Sequence, residues 1–339
     1  MTEEGPAAAQ RLIELATAEW VSRAVWAAAE LGLADLMADG SRSADELARS
    51  CGAHTGALER LLRALVGVGV FRREADGRYG LTPLSEPMRE GSPTTLRSLL
   101  RYVGGDNRRA WDEVLHTLAT GRPAFERAFG ASFFEHLTAN PEAERLFADA
   151  MAERHRALDP VVAEAYDFTG VRTLVDVGGG HGFLAAAILR RNPGMRAILL
   201  DRPEVVAGAG PTLAAAGVAD RVEVVGGDFF AGVPAGGDAY ALGAVLYDWD
   251  DEQCVAILGN CRRAMGDGGR VLIAEIVIPT GDGPHYGKVL DLNIMVVFGG
   301  RARTEEEHRR VLGAAGLRLS RVIPTASRLS LVEAFRLGP

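Results

Sequence analysis

Apolar residues recur at spacings of three and four along most of residues 7–165, which is the period of an amphipathic α-helix. Within residues 31–84 the pattern is more detailed. Ser43 precedes the segment ADELARS with Glu46 three residues later, which is a capping-box signature, and GALERLLRALVGVGV follows as a second helix. Two short extended segments flank Asp76-Gly77, a dipeptide typical of hairpins. The pattern predicts an all-α N-terminal domain, residues 1–165, that contains a winged-helix-like segment.

From about Val171 the pattern changes to short apolar runs bounded by glycine and aspartate, which are typical of buried parallel strands. The runs are TLVDV, AILLD, VEVVGGD, AYALGAVL and RVLIAEIVI. The last stretch, LRLSRVIPTASRLSLVEAF, predicts a C-terminal antiparallel hairpin at the end of the sheet. Residues 166–339 are therefore predicted to form a doubly wound, Rossmann-like α/β domain, a fold that binds ligands at the carboxyl ends of its strands.

Composition narrows the class of protein. The 339 residues are 47% hydrophobic and carry a formal net charge of −8, which excludes disorder and gives no general attraction to nucleic acids or anionic membranes. A winged-helix regulator that binds DNA stays as an outside alternative. The apolar residues on the second helix of that segment, among them Leu58, Leu62 and Leu65, and the acidic charge both disfavour it.

The sequence carries no clear signal for a metal site, for export or for membrane insertion. The three cysteines, Cys51, Cys254 and Cys261, show no metal-ligand spacing and cannot all pair, so neither a metal site nor a disulfide framework is predicted. The first residues do not resemble a signal peptide, and no apolar run approaches the length of about 18 residues needed to span a bilayer. We expect a cytoplasmic protein that does not insert into membranes.

A glycine-rich loop follows the first strand of the α/β domain. The loop does not match the dinucleotide-binding fingerprint G-x-G-x-x-G, because Phe183 occupies the position of its third small residue. Read as D-x-G-x-G-x-G it fits at Asp176, Gly178, Gly180 and Gly182. Glycines there let backbone amides approach a ligand closely, so the loop predicts a cofactor site that is not an NAD site.

Acidic residues end the next two strands. Asp201, with Arg202 beside it, lies 25 residues after Asp176 and can accept hydrogen bonds from both hydroxyls of a ribose. Asp228 follows the third strand, where it can meet an adenine amino group while Phe229 stacks on the ring. Together with the glycine loop, these residues predict an adenosyl-group site.

Six segments carry a resemblance to a known family: LVDVGGGHG, LLDRPEVV, GGDFF, VLYDWDDE, GGRVLIAEIVIP and DLNIMVVFGGRART. They resemble the class I S-adenosylmethionine-dependent methyltransferases, and most of all the plant and bacterial small-molecule O-methyltransferases with a helical dimerisation domain. The resemblance covers nearly the whole chain. It implies S-adenosylmethionine as cofactor, S-adenosylhomocysteine as product, and a small aromatic, phenolic acceptor of secondary metabolism.

The catalytic segment departs from that family. Where the family has a His-Asp-Trp motif with the His as general base, this chain has Tyr247-Asp248-Trp249. A phenol with an ordinary pKa near 10 is a poor base at neutral pH compared with an imidazole near 6.5. Glu275 matches the carboxylate that orients the family His, whereas Ala302 replaces a second family Glu. Tyr247 is interpreted either as a packed aromatic residue or as a direct hydrogen-bonding partner.

Several chemistries remain open for this scaffold. Displacement at a sulfonium has a neutral leaving group, so holding the nucleophile and the methyl group in register supplies much of the catalysis. The alternatives are O-methylation, which is favoured, C-methylation of an electron-rich ring, and a non-methylating relative that uses the cofactor structurally. His155 and His285 are the candidates for a relocated base.

The resemblance also implies an acceptor pocket and a dimer. The pocket residues combine adaptable apolar walls with polar groups. They are Met151, Arg154 and His155 before the α/β domain, and Asp291, Asn293, Met295 and Phe298 after its fifth strand. An apolar face on the first helix predicts a homodimer through the N-terminal helices. It is formed by Leu12, Leu15, Trp20, Val21, Val25 and Trp26.

Overall fold

The computed structural model describes residues 4–337, which form two compact units. The first unit contains the chain up to Arg109 together with Leu137–Arg154, and the second contains Ala110–His136 and the chain from His155 onward. The predicted domain boundary after residue 165 stays a prediction. The division into compact units groups residues 110–136 and 155–165 with the α/β sheet.

The N-terminal half is helical, as its periodicity predicts, apart from one short hairpin. Its helices and strands are α1 (Glu4–Glu30), α2 (Leu33–Leu36), α3 (Ala44–Cys51), α4 (Thr55–Gly67), β1 (Phe71–Arg73), β2 (Tyr79–Leu81), α5 (Arg97–Tyr102), α6 (Arg108–Trp111), α7 (Val114–Thr120), α8 (Ala124–Phe129), α9 (Phe133–Ala139) and α10 (Pro141–Ala165).

The winged-helix-like segment forms as predicted. The Ser43 hydroxyl accepts from the Glu46 amide at 3.2 Å, and the Glu46 carboxylate accepts from the Ser43 amide at 2.7 Å, which completes the capping box of α3. Strands β1 and β2 pair antiparallel around Gly77, whose φ of +88° a side chain would oppose. The apolar face of α4 is buried in the core of the first unit at Leu58, Leu62 and Leu65.

The α/β domain follows with alternating strands and helices. Its elements are β3 (Thr173–Val177), α11 (Phe183–Arg191), β4 (Arg196–Asp201), α12 (Pro203–Val206), α13 (Ala209–Ala215), β5 (Val222–Gly226), β6 (Ala239–Gly243), α14 (Asp251–Ala264), β7 (Arg270–Glu275), β8 (Val277–Ile278), α15 (Tyr286–Val297), β9 (Arg303–Thr304), α16 (Glu305–Ala314), β10 (Leu317–Pro324) and β11 (Ser330–Arg336).

A seven-stranded sheet has the order β10-β11-β7-β6-β3-β4-β5. Strands β3 to β7 are parallel to one another, and the hairpin β10–β11 adds two antiparallel strands next to β7, which confirms the predicted hairpin. The chain moves outward from β3 to β5 and then returns to the other side of β3 as β6. That reversal between β3 and β6 opens a crevice at the carboxyl ends of the strands, the usual ligand site of such sheets.

Two predicted strands were too long. The run RVLIAEIVI divides at Ile276, because the first residue of β11, Ser330, lies opposite Glu275 and leaves the following residues without a partner in the main sheet. Val277 and Ile278 pair instead with β9. The run AYALGAVL leaves the sheet after Gly243, where Ala244 adopts a positive φ of 59°.

Among residues 4–337, none of the helices combines the length and the apolar character that crossing a bilayer requires.

Candidate active site

The glycine loop turns sharply at the carboxyl end of β3. Gly178, Gly180 and Gly182 all have positive φ, between 58° and 77°. A Cβ atom on Gly178 would lie 2.9 Å from Val245 and 3.4 Å from Phe229, so only glycine brings the backbone this close to the end of β6. Phe229 thus lies beside this loop, and its stacking on an adenine ring stays a prediction.

Asp176 lies beneath the loop. It is fully buried, and one carboxylate oxygen accepts from the Ala185 amide at 3.1 Å. A Cβ on Gly179 would approach its carboxylate carbon to 2.5 Å. Burial, reinforced by the nearby charge of Asp159, raises the pKa of Asp176 to about 7. Asp176 therefore packs against the glycine loop from the protein interior. Its direct contact with a cofactor stays a prediction.

Asp201 ties the glycine loop to the end of β4. Its two carboxylate oxygens accept from the amides of Gly180 at 2.8 Å and Arg202 at 2.7 Å. The side chain is only partly buried, so lone pairs remain available for a ligand diol, and burial raises the pKa of its carboxyl. At the end of β5, the exposed Asp228 accepts from the Phe230 amide at 2.8 Å.

These features fit an adenosyl cofactor. Asp201 ends β4 and Asp228 follows β5, the adjacent strand. The glycine loop after β3 is left-handed at three positions, and at two of them, Gly178 and Gly182, the space for a Cβ is already filled. Gly178, Gly180, Asp201, Asp228 and Phe229 are the residues that would hold it.

Aromatic side chains line the neighbouring region within the second unit. Phe134 stacks on Trp249 with ring centroids 5.5 Å apart and planes inclined by 15°. Trp249 also meets Phe229 edge-on at 5.9 Å. The Arg202 guanidinium lies 5.9 Å from the Phe134 ring and pairs with Glu204 at 3.0 Å. Phe134 was missed from sequence, because nothing local to residues 125–136 indicates that they pack against the α/β domain.

Tyr247 lies in a short 3₁₀ turn, Leu246–Asp248, after β6. Its side chain is 4% exposed and packs with Ile294 and Ala302. Glu275, itself buried at the end of β7, accepts a hydrogen bond of 3.1 Å from the backbone amide of Tyr247. The resemblance predicts that Glu275 orients the side chain of the catalytic base. Here Glu275 binds the backbone of residue 247 and so fixes the main chain of the catalytic segment.

Three predicted acceptor-pocket residues on and after α15 meet the catalytic segment or its surroundings. Asp291 accepts from the Ala302 amide at 2.8 Å, and Asn293 accepts from the Trp111 indole at 2.9 Å. Phe298 packs edge-on against Phe133, with centroids 4.7 Å apart, and joins the cluster around Tyr247. Asp291 and Asn293 therefore each fix a neighbouring segment, and their part in an acceptor pocket stays a prediction.

The remaining predicted site residues, four of the acceptor pocket and the catalytic-segment residue Asp248, are distributed differently. Met295 is half-buried on α15, and Asp248 is half-buried in the 3₁₀ turn. Met151 and Arg154 fall in the first unit, and their place in the acceptor pocket stays a prediction. His155 lies in the second unit, where its Nδ1 atom is 3.1 Å from the carboxylate of Asp159. The buried Asp159 was missed, although it stands four residues after His155 on one helix.

Comparison with known proteins decides the family. Residues 111–318 match the O-methyltransferase domain, and residues 13–90 match the O-methyltransferase dimerisation domain. The chain belongs to the O-methyltransferase family. Like the other members, it is an S-adenosylmethionine-dependent methyltransferase with a Rossmann-like catalytic fold, and the dimerisation domain supports a homodimer.

Relatives of this methyltransferase act on different atoms. The phenazine O-methyltransferase PhzM of Lysobacter antibioticus is 46% identical over 323 residues, covering 95% of each chain. The phenazine-1-carboxylate N-methyltransferase of Pseudomonas aeruginosa is 36% identical, covering 99% of this chain and all of its own. The solved structure of NcsB1 from neocarzinostatin biosynthesis, in complex with S-adenosylmethionine and 2-hydroxy-5-methyl naphthoic acid, is 36% identical with a TM-score of 0.81, covering 94% of this chain and 96% of its own.

Proposed function

We propose that this methyltransferase modifies a phenolic oxygen of a small aromatic metabolite of secondary metabolism, without a general base from the catalytic segment. The observation that carries the proposal is the burial of Tyr247 against Ala302 and Ile294. A phenol, with an ordinary pKa near 10, is in any case a poor base at neutral pH.

Proton removal is therefore assigned to the acceptor's own ionisation. The phenol would lose its proton to solvent before it binds, and the phenolate oxygen would then take the methyl group as the carbon–sulfur bond breaks. Bound S-adenosylmethionine supplies the electrophilic methyl group, and its leaving group is a neutral thioether. The chain's own part is to orient the acceptor and exclude water.

The walls of the site support a flat acceptor. Stacked Phe134 and Trp249 and the edge-on pair of Phe133 and Phe298 offer planar apolar surfaces close to the catalytic segment. Two of the named relatives act on or bind tricyclic or bicyclic aromatic compounds, which agrees with these walls.

The site assignments follow from the same reasoning. Gly178, Gly180, Asp201 and Asp228 are proposed to bind the cofactor, with Phe229 on its adenine ring. Tyr247 is proposed to shape the acceptor side, and Glu275 to hold its backbone.

The dimer interface is proposed to include α1. Leu12, Ile13, Leu15 and Trp20 are all more than half exposed along this helix, with Trp20 at 72%. Such a continuous apolar surface is more than a monomer usually shows, and a second copy of the dimerisation domain is its expected partner.

The acceptor and the methylated atom are tested together. The protein is incubated with S-adenosylmethionine carrying a ¹³C-labelled methyl group and a panel of phenols, aryl amines and electron-rich rings. We expect NMR to place the label on a phenolic oxygen. A label found only on carbon or nitrogen would contradict the proposed O-methylation, and no transfer to any member would contradict the acceptor class.

A further inference from the structure

The guanidinium group of Arg303 is buried against the segment that carries the proposed catalytic residues. The residue is 1% exposed and is among the largest fully buried side chains of the chain. It lies in β9, one residue after Ala302, while the segment it touches, residues 246–251, follows β6.

Every N–H group of this guanidinium has an acceptor. Its Nε and Nη2 atoms donate to one carboxylate oxygen of Asp251, at 3.0 and 2.7 Å. Its Nη1 atom donates to the carbonyls of Leu246 at 3.1 Å and Arg301 at 3.2 Å, and Nη2 also donates to the Trp249 carbonyl at 3.0 Å. The bonds to Leu246, Trp249 and Asp251 fall on both sides of Tyr247 and Asp248.

A buried ion pair is a poor source of stability, because desolvation of the charges offsets most of their attraction. The rigid, planar fork of an arginine does, however, fix the relative positions of several acceptors at once, which a lysine ammonium does not. The number and placement of these bonds therefore indicate a geometric role for Arg303.

A second close contact joins the turn at residues 300–303 to the segment 246–251. A Cβ atom on Gly300 would collide with the backbone of Tyr247 and Asp248 and would lie 2.6 Å from the Trp249 amide nitrogen. The turn before Arg303 thus lies directly on the backbone of the catalytic segment. On the other side of that segment, Ala244 holds a left-handed conformation that a residue with a Cβ rarely adopts.

We propose that Arg303 is a positioning residue for methyl transfer, which fixes the segment 246–251 so that the side chain of Tyr247 and the neighbouring wall residue Trp249 face the acceptor in one arrangement. The inference rests on the proposed active site. A site without a general base depends on the register between nucleophile and methyl group, and a displacement of about 1 Å can cost a hundredfold in rate.

Two variants test the proposal in different ways. Arg303→Lys keeps the charge near Asp251 but cannot reproduce the forked bonds to the carbonyls. Gly300→Ala keeps Arg303 but forces the backbone of residues 247–249 to move. Matched controls lie on α16, where Arg309 is an exposed arginine and a Cβ on Gly313 meets nothing within 4 Å: Arg309→Lys and Gly313→Ala.

The first readout needs no acceptor. Hydrogen–deuterium exchange of the dimeric protein should show faster exchange in peptides covering residues 246–252 for both test variants, and for neither control. S-adenosylhomocysteine affinity, measured by calorimetry, should stay within about threefold, because the glycine loop and Asp201 are untouched. Unchanged exchange in both test variants overturns the proposal even if no acceptor is ever found.

The second readout is turnover with an acceptor that the unaltered protein methylates, well below the unfolding temperature of each variant. We expect kcat per folded protein to fall by about ten- to a hundredfold in Arg303→Lys and Gly300→Ala, with a smaller change in the KM of S-adenosylmethionine. A kcat within twofold of the unaltered protein, despite faster exchange, would reduce Arg303 to a stabilising role and overturn the proposal. If Arg303→Lys does not fold, Gly300→Ala decides. Failure to methylate any phenol contradicts the proposed acceptor instead.

Discussion

The backbone amide of Tyr247 donates a hydrogen bond of 3.1 Å to Glu275, 28 residues later in the sequence. Glu275 ends β7 and Tyr247 follows β6, and these strands are neighbours in the sheet. The bond therefore holds the catalytic segment at the carboxyl edge of the sheet, whatever side chain residue 247 carries.

Removing that acceptor should loosen the segment. Glu275→Ala leaves the buried Tyr247 amide without this partner, which costs about 1–3 kcal/mol for an unsatisfied donor, whereas Glu275→Gln keeps an oxygen for it. We expect urea denaturation to show a larger loss of unfolding free energy for Glu275→Ala than for Glu275→Gln. Equal losses would mean that the amide bond is not what Glu275 contributes.

Asp201 should control cofactor affinity. Asp201→Ala removes the proposed acceptor for the ribose and also leaves the amides of Gly180 and Arg202 without their carboxylate. A lost hydrogen bond to a charged group is worth about 1.5–3 kcal/mol, so S-adenosylhomocysteine should bind about 10- to 150-fold more weakly in calorimetry. Asp220→Ala, on an exposed acid beside β5, is the matched control. Unchanged affinity in Asp201→Ala would remove Asp201 from the site.

Asp176 should make stability depend on pH. Its pKa is raised to about 7 in the folded protein, first by burial, against about 3.9 in an unfolded chain. The folded state then binds the proton more tightly, so the free energy of unfolding falls as pH rises from about 4 to about 7 and levels off above that. A pKa difference of this size between the folded and unfolded states corresponds to a change of roughly 4 kcal/mol in the free energy of unfolding.

The neutral replacement Asp176→Asn isolates that contribution. Relative to the unaltered protein, its unfolding free energy should improve as pH rises from 5 to 8, because the unaltered protein alone loses the proton. Urea denaturation at both pH values measures the difference. Parallel stabilities across this range would contradict the raised pKa.

Charge on α1 should separate the protomers. Trp20→Glu combined with Leu15→Glu places two carboxylates on the exposed apolar face of that helix. Light scattering should give 36.0 kDa for this variant and twice that mass for the unaltered protein and for the exposed control Arg310→Glu. A variant that keeps the doubled mass would exclude α1 from the interface.

Most of the fold could be predicted from patterns of residues close together in the sequence. Ser43 and Glu46 predicted the start of α3, and the apolar runs predicted the strands of the sheet and the final hairpin, because capping and strand burial depend on residues close in sequence. The end of β6 was missed, since the left-handed conformation there falls on Ala244 and not on a glycine.

The site was predictable where a motif is contiguous. The glycine loop follows β3, Asp201 ends β4 and Asp228 follows β5, whereas the burial of Asp176 was not evident from its spacing. The bonds of Arg303 to Leu246 and Trp249 cross 57 and 54 residues of sequence, and the packing of Phe134 on Trp249 crosses more. The hydrophobic periodicity of a segment depends on its own residues, so it cannot predict contacts with segments so distant in the sequence.

The dependence of turnover on pH tests base-free transfer most directly. The kcat of the unaltered protein and of Tyr247→Phe is measured across pH for a series of phenols whose own pKa values differ. We predict that the apparent pKa of kcat follows that of each acceptor, and that Tyr247→Phe loses less than the roughly 100-fold that general acid–base catalysis typically contributes. One fixed titration near neutrality for every acceptor, or a thousandfold fall in Tyr247→Phe, would contradict the account.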